Sequence, residues 1–229
     1  MQTLLRYRIV VFYSRGSGWN GVSGLLKNGP LQQTLLLYSV AGGNLWVLGE
    51  ETVAALDPTS SWVGNFAYPK DFLEDSFACS LLHLCATSIN NDKFADSERN
   101  GMIGVTPTAI GRAPFPALTV DPETLSPFLR DRGGGVGGVD VLFGDLFPAE
   151  TGVTAPLYVF RAAGSAQDPP LASDYDGKIC AIRWHDPDPG SARGRTIWFG
   201  FPMYSFENEG AQAAFNQVID WFLEEDESN

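Results

Sequence analysis

Apolar residues cluster in short runs bounded by Gly, Pro or Asp, the signature of strands. Such runs occupy Ile9–Tyr13, Leu45–Leu48, Val139–Phe143, Pro156–Phe160, Ile179–Trp184 and Thr196–Phe201. The first two are continuously apolar, which predicts central parallel strands covered on both faces. A helical run over Leu31–Val40 stops at Ala41-Gly42-Gly43, a good C-terminal signal. Residues Phe72–Cys85 also read as a helix. The last helix carries Ala211, Ala214, Phe215, Val218, Ile219 and Phe222 on one stripe, with Ser205 or Asn208 as cap and Glu207 and Glu209 in its first turn.

Strand, helix, strand, helix at the front predicts a parallel sheet with right-handed crossovers. Further on, Asp186-Pro187-Asp188-Pro189-Gly190 reads as the turn of a hairpin-like excursion. The fold class expected is α/β, a three-layer sandwich with a flavodoxin-like, mostly parallel sheet. One domain is expected over 1–229, with an irregular Pro/Gly-rich insertion or lid at 100–138 and an acidic tail at 224–229.

Composition narrows the partners. The chain has 229 residues and a formal charge of −12, with no Lys/Arg cluster to offset it, so phosphate backbones and anionic membranes are repelled. No apolar run reaches the roughly 18 residues that span a bilayer. The start has no basic segment or cleavage site of a signal peptide, which predicts a cytoplasmic protein; a fragment of a larger exported protein would instead be extracellular or periplasmic. The odd set Cys79, Cys85 and Cys180 argues against a disulfide framework. Cys79 and Cys85 are read as buried thiols, although a bridge between them is conceivable.

Four patterns occur in a telling order. They are Leu5-x-Tyr7-x-Ile9-Val10-Val11, then Leu37-x-x-x-x-Gly42-Gly43-x-Leu45-x-Val47-x-Gly49-Glu50. Gly194-Arg195-Thr196-Ile197-Trp198-Phe199-Gly200-Phe201-Pro202 follows, then a closing helix ending Val218-Ile219-Asp220-Trp221-Phe222. Together they resemble a class I glutamine amidotransferase-like domain related to ThuA-like proteins, as found inside large secreted bacterial proteins. On this resemblance the chain enters at the second strand. That implies a missing first strand and a sheet edge that a second copy, in a homo-oligomer, or a neighbouring domain would pair with.

The resemblance also implies a catalytic cysteine on the turn after Leu45–Leu48, and His-Pro-Glu after the late strand. Here the turn reads Gly49-Glu50-Glu51-Thr52, and Pro202-Met203 stands where the His would be. With neither thiolate nor base, glutamine hydrolysis by that route is not expected. The leading expectation is a degenerate pseudoenzyme, a binding or structural module of a larger bacterial protein.

The alternative is a metal-assisted hydrolase of small esters, lactones or amides. Glu50 and Glu51 are the sharpest lead, because open α/β sheets place ligands at strand C-termini. They would hold Ca2+ or Zn2+, or serve as general base. The plainer reading is an acidic first helical turn meeting its dipole, and it is the stronger. Asp186 and Asp188 are a second candidate Ca2+ pair, set against an ordinary solvated Pro-Asp turn. Arg15, Ser17 and Trp19 follow the first strand and would line the same cleft, and Trp62 is another loop aromatic. Cys79 and His83 share a helical face, yet a zinc site needs about four ligands; core packing is the better reading. Gly133–Gly138 is followed by a strand and lacks Gly-Lys-Ser/Thr, so a flexible connector is favoured over a phosphate loop.

Overall fold

The computed structural model of the chain describes residues 3–14, 29–50, 52, 76–84, 88–90, 97–109, 115–142, 154–188 and 191–224. The described strands are β1 (Ile9–Ser14), β2 (Asn44–Gly49), β3 (Ser88–Asn90), β4 (Met102–Pro107), β5 (Leu118–Thr119), β6 (Asp140–Leu142), β7 (Thr154–Ala162), β8 (Ile179–Trp184) and β9 (Thr196–Phe199). The described helices are α1 (Gly29–Val40), α2 (Phe77–Leu82), α3 (Ser97–Asn100), α4 (Pro127–Asp131) and α5 (Asn208–Leu223).

All the described strands join one sheet in the order β1-β2-β9-β8-β7-β4-β5, with β6 beside β8 and β3 beside β6. The pairing is parallel across β1–β2 and β2–β9. From β9 onward it is antiparallel, as are the ladders of β6. The architecture is therefore mixed α/β. The parallel arrangement expected of most of the sheet is confined to its first three strands. β8 and β9 are joined through the expected 186–190 turn region, and such a direct return forces antiparallel pairing.

β2 is buried at every position. Its alternate side chains feed two cores. Leu45 and Val47 join Leu35 of α1 and Ala78, Leu81 and Leu82 of α2. Trp46 and Leu48 join Ala214, Val218, Trp221 and Phe222 of α5. Helices thus lie against both faces of β2, as its unbroken apolar run predicts. The same prediction fails for β1. It is the terminal strand of the described sheet, and Val11 and Tyr13 on one face are 47% and 41% exposed. Continuous hydrophobicity cannot tell a strand covered on both faces from one that covers its neighbour and leaves the other face open.

Helix α1 ends as expected: the Gly42 N–H bonds Ser39 O at 3.0 Å, the Gly43 N–H bonds Tyr38 O at 2.9 Å, and Gly42 has φ 90°. On α5 the buried stripe is Ala214, Val218, Trp221 and Phe222. Phe215, expected within it, is 44% exposed and only leans on Trp46. Neither expected cap forms, because Glu207 occupies the N-cap with no side-chain bond. Helix α2 is shorter than the expected 72–85 run, its residues 72–75 and Cys85 lying outside the described residues. His83 stops it in the left-handed conformation at φ 57°. Cys79 is disulfide-bonded, not a free thiol, and Cys180 is the free, buried cysteine.

The described residues of 100–138, expected to be irregular, include sheet and core positions. β4 and β5 enter the sheet, and Met102, Val105, Phe115, Leu118, Val120 and Val136 enter the core. The Gly133–Gly138 run is equally ordered. Met102 and Val136 exchange two backbone hydrogen bonds of 2.9 Å. A Cβ on Gly135 would sit 2.4 Å from Met102 O, so this glycine permits two backbones to touch.

That contact yields a graded prediction. Gly135→Ala should cost about 1–3 kcal/mol by forcing backbone apart. Gly133→Ala meets open space but must hold φ +65°, and should cost about 1–2 kcal/mol. Gly133→Asn should cost less than Gly133→Ala, because asparagine tolerates that conformation. Urea unfolding midpoints check the order.

Candidate functional site

Because β1, β2 and β9 run parallel, their C-terminal ends share one edge of the sheet, where the strand-end turn lies. β2 leaves the sheet through Gly49, whose φ of 133° is open to glycine and strained for other residues. Glu50 follows. Thr52 is fully buried, and its hydroxyl bridges two other elements. It donates to the Asp140 carboxylate at 2.9 Å and accepts from the Trp198 indole N–H at 2.8 Å. Asp140 is also fully buried, and its own N–H bonds Gly200 O at 2.8 Å. The turn after β2 is thereby tied to β6 and β9 through side chains that a buried site must satisfy. Thr52 and Asp140 serve structure here; among the described residues no histidine stands by to activate the hydroxyl.

Glu50 faces outward and accepts a hydrogen bond from the Tyr204 hydroxyl. Tyr204 lies in the 3-10 turn Met203–Ser205 that follows β9 and Pro202, the stretch where the resemblance implies His-Pro-Glu. Tyr204 is 51% exposed, and its ring meets Tyr13, at the end of β1, edge-on with centroids 6.3 Å apart and planes at 74°. Three elements thus bring two tyrosine rings and a carboxylate together at one strand-end corner.

Of the residues proposed from sequence, Glu50 is the one placed at this corner. Glu51, Arg15, Ser17, Trp19 and Trp62 lie outside the described residues. Asp186 and Asp188 are elsewhere. The register Leu45↔Thr196↔Trp184 puts the end of β8 at the N-terminal end of β2, so they lie across the sheet from Glu50, roughly 15 Å away at ~3.3 Å per residue. One ion cannot take both pairs. Asp186 is committed to its own turn: it accepts from the Asp188 N–H at 3.0 Å and the Ser191 hydroxyl at 2.9 Å. Those bonds, the Asp188 N–H first, hold its carboxyl below the usual range. Among the described residues no three His, Cys, Asp or Glu side chains gather as a metal site would require.

The far end of the sheet is closed by a stack. His83 lies flat on Trp184, centroids 4.1 Å apart and planes at 14°. The Arg193 guanidinium is 4.7 Å from the Trp184 ring centre and donates to Ser80 O at 2.7 Å. His83 therefore pairs with Trp184, not with Cys79, and the disulfide excludes a Cys79 thiolate. Burial first, then the Arg193 charge, push the His83 pKa down to about 4, against a small opposing pull from Asp186.

The sequence reading missed Asp140, Thr52, Tyr13 and Tyr204 as site residues. A signal existed for one of them. Asp140 interrupts the apolar run Val139–Phe143, and a lone carboxylate inside a buried strand demands a partner.

No protein-family model matches the chain, and no curated protein matches its sequence. Solved structures to which the chain shows a partial likeness include the cold-adapted β-galactosidase of Rahnella sp., at 9% identity and a TM-score of 0.46 over 94% of this chain. A β-galactosidase of G. stearothermophilus matches at 10% identity and 0.48 over 94% of this chain. The chain spans 22% of the length of each. A cytoplasmic protein of Salmonella typhimurium matches at 12% identity and 0.42, covering 96% of this chain and 74% of its own. At these identities and scores the likenesses say nothing about chemistry.

Two predictions come from the buried polar groups. Thr52→Val keeps shape but removes the acceptor of the Trp198 N–H and one donor to the Asp140 carboxylate; it should cost about 1–3 kcal/mol, read by urea unfolding. For His83, the folded pKa lies below the ~6.5 of an unfolded histidine. Between about pH 6.5 and 4 the unfolded chain binds the extra proton, so this contribution to stability is intact above pH 6.5 and is lost as pH falls. His83→Asn retains the left-handed turn and does not titrate. Its stability relative to the parent should rise by up to about 3 kcal/mol across that window. A difference independent of pH would refute the assignment.

Proposed function

We propose that the chain is a non-catalytic, amidotransferase-like binding module of a larger bacterial protein, with its site at the C-terminal ends of β1, β2 and β9. A flavodoxin-like, three-layer arrangement related to ThuA-like domains is part of this reading, and the helices on both faces of β2 support it. The carrying observation is what occupies the strand-end turn. Thr52 is locked in a buried bridge to Asp140 and Trp198, and Glu50 is engaged by Tyr204. Pro202-Met203-Tyr204 supplies neither base nor orienter where the resemblance implies His-Pro-Glu. What the corner offers instead is exposed aromatic surface beside a carboxylate, a combination suited to holding a ligand.

A hydrolysis screen of the whole chain tests this. Glutamine, short-chain esters and lactones would each be offered with added Ca2+ or Zn2+ and, separately, with a chelator. The expected result is no turnover above buffer under any condition. Turnover that the chelator removes and that Glu50→Gln or Glu51→Gln abolishes would establish the metal-assisted hydrolase instead.

A further inference from the structure

We propose that His83, Trp184 and Arg193 form an acid-released latch, in which protonation of His83 parts the turn between β8 and β9 from the end of α2. The latch is independent of any ligand site, because it lies at the opposite end of the sheet from Glu50. The turn is built as a unit. Asp186 accepts from the Asp188 N–H at 3.0 Å and from the Ser191 hydroxyl at 2.9 Å. The Ser191 oxygen in turn accepts from the Arg193 N–H at 3.2 Å. Side chains gathered on one indole fasten this unit to α2. His83 lies flat on Trp184 at 4.1 Å. Arg193 donates to Ser80 O at 2.7 Å and holds its guanidinium 4.7 Å from the same ring centre.

The α2 side of the latch is anchored. Ala78, Leu81, Leu82 and Leu84 are buried in the core, and Cys79 is disulfide-bonded. The His83 and Leu84 N–H groups bond Cys79 O at 3.1 Å and Ala78 O at 2.9 Å. A break therefore falls between α2 and the turn rather than within either. The closed latch suits one cation, and Arg193 is already there with a permanent charge. An imidazolium carries N–H at both nitrogens, yet the His83 Nε2 is buried without a hydrogen-bond partner. Protonation would thus bury an unpaired N–H and set a second cation on the indole. A lone imidazolium would gain attraction from that ring; here the guanidinium competes for it.

The surrounding charges favour the same outcome. Helices α1 and α2 and strand β9 hold no charged residue. On β8, Arg183 lies toward Trp221, 5.4 Å from that ring centre. The turn supplies His185, Asp186, Asp188 and Arg193. Burial and then Arg193 oppose the proton on His83, and Asp186 favours it more weakly, its carboxylate being engaged within the turn. The closed ring, with a pKa of about 4, binds a proton less readily than a released one near ~6.5. Acid therefore opens the latch and neutral pH closes it. The opening equilibrium should rise roughly tenfold per pH unit across that window, up to about 300-fold.

The test is a proton NMR titration of the whole chain through the acid range, with His185→Gln to tell its two histidines apart. At neutral pH the indole face should displace the His83 ring protons to low frequency. In the parent that displacement should vanish with a midpoint between about pH 6.5 and 4. The Trp198 indole N–H, bonded to Thr52 beyond the latch, should keep its position, which separates release from global unfolding. His83→Asn, which cannot charge, should leave the Trp184 resonances unchanged over the same range. Arg193→Gln should let the protonated ring remain stacked, so that His83 titrates without losing its displacement. A parent His83 that stays displaced at pH values below about 4, charged or not, would overturn the latch. So would loss of the Trp198 signal at the same midpoint, or the parent's Trp184 changes recurring in His83→Asn.

Discussion

β2 is the constraint around which the described structure is organised. Its backbone is paired on both edges, by β1 and β9, and its side chains are buried on both faces. A strand so placed cannot move without opening two cores at once. Leu45 and Val47 would leave α1 and α2, while Trp46 and Leu48 would leave α5. Polar side chains reinforce it at its start. Asn44 donates to Phe222 O at 3.0 Å and accepts from the Arg195 N–H at 2.9 Å, joining β2, the entry to β9 and the end of α5. The Tyr38 hydroxyl donates to Tyr7 O at 3.0 Å, and burial pushes its pKa up to about 12, so it stays protonated and able to donate.

The two ends of this strand have opposite characters. At the N-terminal end the stack of His83, Trp184 and Arg193 closes the surface, and the Asp186 turn spends its hydrogen bonds internally. At the C-terminal end the buried Thr52 bridge fixes the turn from beneath. Above it, Glu50, Tyr13 and Tyr204 remain at the surface. A buried hydrogen-bonded bridge thus lies beneath a partly exposed polar and aromatic corner.

Much of this was legible from local pattern. The strands at 9–14, 44–49 and 179–184, the glycine stop after α1 and the amphipathic last helix follow from apolar periodicity and turn chemistry. These depend on neighbours a few residues away. The Glu50 position at a strand end was legible for the same reason.

What pattern could not reach depends on which distant segments meet. The open face of β1, the entry of 102–107 into the sheet and the close passage of Gly135 against Met102 are set by partners far along the chain. So is the corner itself: Tyr13, Glu50 and Tyr204 come from three segments spread over most of the sequence. Composition and periodicity report what each segment would bury. Only the packed sheet decides where its ends converge, since that convergence follows from strand order and register, properties no single segment carries.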